Sequence, residues 1–168
     1  MIQGSFSSQG VHIDVCSKTF APIAKINSIR VLLSLAANLD WSLQQLDVKN
    51  AFLNGDLEEK VYMEVPPRFG EKFGTKVCKL KKSPRAWFEK FTQFVKSQGY
   101  TQGQGDHIMF FKHLQDRKIS ILIIYVDDII LTRDDVFEMN RLKSSILTTF
   151  EIKELGSLRY FLGIKVAR

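Results

Sequence analysis

Cysteine is scarce in this sequence. Only Cys16 and Cys78 occur, far apart and with no His or Cys at metal-ligand spacing, which argues against a zinc site and leaves two reduced thiols as the expectation. Long apolar runs are missing as well. The longest, ISILIIYV from Ile119, is far too short to cross a bilayer, so no membrane association is expected. The opening MIQGSFSSQG is small and polar, unlike a signal peptide. There is no internal repeat and no low-complexity linker. Acidic residues are in the minority, 18 against 24 Lys and Arg, for a net charge of +6. That balance suits phosphate contacts, and it equally describes a solvated surface. What remains is a chain of 168 residues, 45% apolar, long enough to bury one real core.

The elements alternate as in an α+β domain. Ile29, Leu32, Leu33 and Ala36 recur at helical spacing and predict an amphipathic helix from Ile29 to Leu39. WSLQQLDV follows as a strand. AFLNGDLEEK turns polar, VYMEVPP reads as a short strand closed by two prolines, and EKFGTK as a loop. In SPRAWFEKFTQFVKSQG, Ser83 can cap, Pro84 suits the first helical position, and Gly99 can end the helix. Trp87, Phe91, Phe94, Val95 and Gln98 trace one side of it. HIMFFKHL and ISILIIYV, separated by the turn QDRK, should pair antiparallel. A further helix begins with the capping pattern Asp135 to Glu138 and runs to about Thr149, with Met139, Leu142, Ile146 and Phe150 on one face. FEIKEL and RYFLGIKV are strand-like, with Gly156 in the turn between them and the last strand at the domain's edge.

Within ISILIIYVDDIILTRDD two adjacent acids, Asp127 and Asp128, interrupt a β-forming run. Burying unpaired charge is costly, so something must compensate them. A tight hairpin with both acids at its tip is one local solution, although two-residue turns favour Asn-Gly or Asp-Gly. The other solution needs a third carboxylate, and Asp47 in LQQLDVKNAF sits in a similar apolar strand. Three clustered carboxylates become tolerable around divalent cations, and an all-oxygen donor set points to Mg²⁺, with Mn²⁺ as a substitute. Such a cluster suits two-metal phosphoryl chemistry. Asp134 and Asp135 read as helix-capping acids. Phe52, taken alone, reads as a core residue.

Several long motifs occur in order: TFAPIAK from Thr19, LDVKNAFLNGDLEEKVYM from Leu46, SPRAWF from Ser83, YVDD from Tyr125, and RYFLGIKVAR at the end. Together they closely resemble the reverse transcriptase of copia-type LTR retrotransposon polyproteins, over nearly the whole chain. The resemblance implies a polymerase palm, an antiparallel sheet backed by helices, with partial fingers attached. Fingers would occupy about 1–25 and 56–82, palm about 26–55 and 83–155, and a primer-grip-like hairpin 156–168. Asp47 then matches the catalytic aspartate of motif A, with the Val48 carbonyl as an added metal ligand, and Asp127 and Asp128 match motif C. Phe52 takes the position of the gate against a 2′ hydroxyl, and Tyr125 joins it in the nucleotide site. Phe161, Leu162 and Gly163 resemble the primer grip. Lys49, Lys82 and Arg85, with Arg30, Lys79 and Lys81, are candidate contacts to the nucleic-acid backbone. Lys153 is best described as an exposed strand lysine.

The implied partners are an RNA or DNA template with its primer and deoxynucleoside triphosphates. The family also implies a cytoplasmic virus-like particle, with integration in the nucleus. Against the family pattern, the chain is expected to be a truncated fragment without the basic fingers strand, thumb, RNase H or integrase. It is expected to be inactive as it stands, with a non-catalytic relic of weak nucleic-acid or metal binding as the alternative. A stretch like SLYGLKQ, which carries the motif B glycine, is missing between VCKLKK and SPRAWF. Arg133 stands where the family has glycine, which would strain a turn of positive φ by about 1 kcal/mol.

Overall fold

The computed structural model describes residues 25–51, 54–65, 77–133 and 136–166. The chain divides into two compact units, Met1–Ala21 with Phe52–Lys90, and Pro22–Ala51 with Phe91–Arg168. Phe52, Asp134, Asp135, the EKFGTK loop, most of TFAPIAK, and the two prolines after Val65 lie outside the described residues.

In the first unit, strands β2 (Asp56–Glu64) and β3 (Val77–Lys82) pair antiparallel. The strand thus starts five residues earlier than the polar run DLEEK suggests. Pairing accounts for the difference: Asp56 faces Lys82, then the register shifts before Val61 faces Leu80. Lys82 reaches Asp56 at 3.6 Å, so opposite charges across the strands take the place of an apolar signal. Helix α1 (Ile26–Asn38) precedes these strands in the chain, and α2 (Pro84–Ser97) follows β3 after a single residue, Ser83. The Ser83 hydroxyl accepts the Ala86 N–H at 3.1 Å, an N-cap of the kind read from the sequence. Gly99 ends α2 at φ +84°, the left-handed conformation that glycine adopts without cost. The Ser83 N–H donates to the Gly55 carbonyl at 2.9 Å. A Cβ on Gly55 would stand 2.3 Å from both the Ser83 oxygen and the Trp87 nitrogen, so only glycine admits this approach.

The second unit is built on a six-stranded sheet from β1 (Ser42–Val48), β4 (Thr101–Gln102), β5 (Met109–His113), β6 (Ile119–Tyr125), β7 (Asp128–Arg133) and β8 (Ile152–Ser157). Its order is β4-β5-β6-β7-β1-β8, and every pairing is antiparallel. The first strand in sequence therefore lies between the last two. Leu46, Leu122, Ile123, Ile129, Ile130 and Leu131 are buried along its centre. On α1 the four buried residues are Ile29, Leu32, Leu33 and Ala36, the stripe its spacing predicts. Helix α3 (Val136–Thr149) buries Met139, Leu142 and Ile146, followed by Phe150. The Phe150 ring meets Phe91 and Phe94 at centroid distances of 5.2 and 5.1 Å, joining the ends of α2 and α3 in one aromatic cluster.

Three expectations for this unit are corrected. Gly156 lies inside β8, not in a turn. At φ +85° it forms a bulge, since Gln45 faces Gly156 while Leu46 faces Glu154. A bulge and a turn ask for the same residue, and sequence alone does not separate them. RYFLGIKV is not a single edge strand; it folds into the hairpin β9 (Tyr160–Phe161) and β10 (Ile164–Lys165), and the edges of the main sheet are β4 and β8. Leu162 and Gly163 both take positive φ in its turn, the requirement of a tight hairpin. Arg133 is the last residue of β7, opposite Ser42 and Ser120, and is absent from the positive-φ positions among the described residues. The strain expected there does not arise.

Candidate metal-binding acidic site

Strands β6 and β7 are joined by two residues, Val126 and Asp127, and closed by the pair Tyr125 and Asp128. The tip is thus one residue earlier than expected: Asp127 sits on the turn, exposed, and Asp128 is the first residue of β7, half-buried. Val126 takes φ +58°, an uncommon conformation for a β-branched residue.

Because β1 pairs with β7, Asp47 stands directly opposite Asp128. The Val48 N–H donates to the Asp127 carbonyl at 2.7 Å, extending the ladder to the turn. On its other side Asp47 faces Lys153 of β8, so an exposed lysine lies in register with the acids. Side chains alternate along a strand, so Asp47 shares a face with Gln45, whereas Leu46 and Val48 are buried on the other. Gln45 Nε2 donates to Asp128 Oδ1 at 2.8 Å.

Burial pushes the Asp128 carboxyl above its ordinary value, the Gln45 hydrogen bond pulls it down, and Asp127 and then Asp47 push it up again. Asp128 is therefore in electrostatic reach of both Asp127 and Asp47. Among the described residues, no three His, Cys, Asp or Glu side chains stand close enough to form a ready-made metal cage. The donor chemistry nevertheless suits a hard cation, since Asp47 and Asp128 are cross-strand neighbours beside Asp127 and all three donors are carboxylates.

The remaining candidates are dispersed. Tyr125 is half-buried, its ring edge-on to Phe161 at 5.8 Å. Phe161 is only 3% exposed, whereas Leu162 and Gly163 in the same turn are exposed. Lys49 is exposed next to the acids in sequence, and its N–H donates to the Glu151 carbonyl. In the other unit Lys82 pairs with Asp56, and Arg85 with Glu89 at 2.7 Å, exposed pairs of small energetic weight. Two contributors escaped the sequence reading. Gln45 could have been found two residues before Asp47 on the same strand face; Val126 carries no signal, since nothing marks a valine as left-handed.

One antiparallel sheet thus brings the LDV strand against the YVDD hairpin. The model of the reverse transcriptase (RNA-dependent DNA polymerase) family matches residues 1–168, and the chain belongs to that family. It is 41% identical over 177 residues to the retrovirus-related Pol polyprotein from transposon TNT 1-94 of Nicotiana tabacum, covering 100% of this chain and 13% of that protein. It is 36% identical over 160 residues to the Pol polyprotein from transposon RE2 of Arabidopsis thaliana, covering 90% of this chain and 11% of the relative. The chain thus spans about an eighth of the tobacco polyprotein's length. The tobacco alignment covers 177 positions against 168 residues here, which leaves nine positions without a counterpart. No solved structure matches the chain. Among the described residues, no helix is long and apolar enough to cross a membrane.

Proposed function

We propose that the chain is the palm of a copia-type RNA-directed DNA polymerase with part of its fingers, the first unit corresponding to the fingers and the second to the palm. The observation that carries this reading is the register of β1 against β7, which sets Asp47 opposite Asp128 beside the Asp127 turn. Asp47, Asp127 and Asp128, with the Val48 carbonyl, would hold Mg²⁺ or Mn²⁺. When bound, the metal supplies Lewis-acid polarisation of the primer hydroxyl and charge stabilisation at the leaving pyrophosphate. The chain's own part is to fix the acids on paired strands, so that their approach costs no reorganisation at the moment of reaction. By the family resemblance, Tyr125 and Phe52 would take nucleotide-binding roles, and Leu162, Gly163, Lys49, Lys82 and Arg85 roles toward the template and primer backbone.

One observation favours a second reading, a non-catalytic retrotransposon relic that binds nucleic acid or metal weakly at most. Strand β3 passes into α2 through Ser83 alone, where the SLYGLKQ-like stretch is expected. A misplacement near 1 Å at a nucleotide site can cost about a hundredfold in rate.

Both readings are tested by replacing the matching span of the tobacco polyprotein with this chain, with and without a SLYGLKQ-like insertion after Lys82, and measuring extension of oligo(dT) on poly(rA). Extension is expected only with the insertion and only with Asp127 intact. Equal extension without the insertion removes the second reading, and extension that survives both Asp47→Asn and Asp127→Asn removes the first.

A further inference from the structure

Asp128 carries the one side-chain hydrogen bond described at the three acids, and its donor is not among the residues the family motif singles out. Gln45 lies two positions before Asp47, on the same face of β1, and its own cross-strand neighbour on β7 is Ile130. It reaches diagonally past that neighbour to Asp128 Oδ1 at 2.8 Å. The backbone is irregular at this point. The β1–β8 register shifts between Gln45 and Leu46, with Gly156 at φ +85° directly opposite Gln45. A bulge twists the strand pair locally and re-aims the side chains beside it. The hydrogen bond and the bulge thus meet at the same residue.

We propose that Gln45 is a positioning residue: seated against the Gly156 bulge, it fixes the orientation of the Asp128 carboxylate for a divalent cation. The inference rests on the acidic site being the metal site. Ligating carboxylates are themselves oriented by hydrogen bonds, and losing such a partner weakens metal affinity by about 10- to 100-fold. An amide suits the task because it donates to the carboxylate without adding charge to a site that already holds three acids. A lysine there would compete with the cation, and a glutamate would add a fourth negative charge.

The test is Mn²⁺ binding to the chain, followed by electron paramagnetic resonance, for the parent, Gln45→Leu, Gln45→Met and Asp47→Asn. Both Gln45 variants should bind Mn²⁺ about tenfold more weakly or worse, with metal-free melting temperatures close to the parent's; Asp47→Asn should lose binding. A side chain that merely supported the fold would instead lower the metal-free melting temperature and leave affinity unchanged in the folded fraction. Should neither variant fold, the parent decides: the Gln45 side-chain amide resonance should move on Mg²⁺ addition. Unchanged affinity in a folded variant, or an unmoved amide while the Asp47 and Asp127 resonances shift, overturns the proposal and leaves the metal site standing. A folded parent that binds no Mn²⁺ overturns both.

Discussion

Val126 offers the sharpest test of how the acidic turn is held. It stands at φ +58° and is 44% exposed. A Cβ in the left-handed region costs about 1–2 kcal/mol. Removing it relieves that cost, while glycine adds about 0.5–1 kcal/mol of chain entropy to the unfolded state. Val126→Gly and Val126→Ala lose nearly the same apolar contacts, so their difference isolates the backbone. At an ordinary strand position glycine is the less stable of the two by about 0.5–1 kcal/mol. Here the order should invert, with Val126→Gly the more stable by a similar amount. For a chain of this size that corresponds to about 1–4 °C in melting temperature. Urea denaturation of both variants gives the comparison directly. If Val126→Ala equals or exceeds Val126→Gly, the turn is not strained and the reasoning fails. What holds the valine in place is visible: the closing pair Tyr125 and Asp128, the Val48 N–H on the Asp127 carbonyl, and the Phe161 ring against Tyr125.

Two further outcomes follow from neighbouring features. Asp128→Asn keeps an oxygen for Gln45 and removes a half-buried charge, so it should raise the metal-free melting temperature at neutral pH. Burial first, then Asp127 and Asp47, lift the Asp128 carboxyl above 3.8 despite Gln45; the native state therefore binds the extra proton, and the parent loses stability as pH rises through that window. The advantage of Asp128→Asn should fade as pH falls below the ordinary carboxylate value, and an advantage constant from neutral to acid pH would contradict this. Gly55→Ala must open the approach of Gly55 to the start of α2, where Ser83 and Trp87 backbone atoms stand 2.3 Å from the new Cβ. The cost should be about 2 kcal/mol or more, and a loss below about 0.5 kcal/mol in urea denaturation, within the range of ordinary surface substitutions, would mean the junction gives easily.

Where burial follows a local period, the sequence is a faithful guide. All four α1 positions are buried, and the Ser83 cap, the Gly99 stop and the β5–β6 hairpin stand as read. It fails where the determinant is a partner distant in the chain. DLEEK has no apolar alternation and joins the strand between two pairings with β3, Asp56 with Lys82 at its start and Val61 with Leu80 after it. Gly156 advertises a turn, and only the pairing of β8 with β1 converts it to a bulge. The acids announced themselves as charge inside an apolar strand. Their register did not, because β1 enters between β7 and β8, an order no local pattern encodes.

The departures from ordinary local rules are not scattered. Among the described residues, Asp40, Asn50, Asp116, Arg117, Val126 and Leu162 are the non-glycine positions of positive φ. Asp40, Asn50 and Asp116 are types that tolerate the conformation, and Leu162 shares its tight turn with Gly163. Val126 alone is β-branched, and it adjoins Asp127. Asp128, next along, has its carboxyl pushed above the ordinary value by burial and by two like charges. Its one described side-chain donor, Gln45, faces the Gly156 bulge. Three separate costs, in backbone, charge and strand pairing, thus fall within two residues of the Asp47–Asp128 pair. A fold selected for stability alone would have placed glycine or asparagine at the turn and an apolar residue at the start of β7. Concentrated strain of this kind persists only where the surrounding structure over-determines it, and it is characteristic of sites with a task. On the proposed reading, the compensating partner would be a divalent cation held by oxygen.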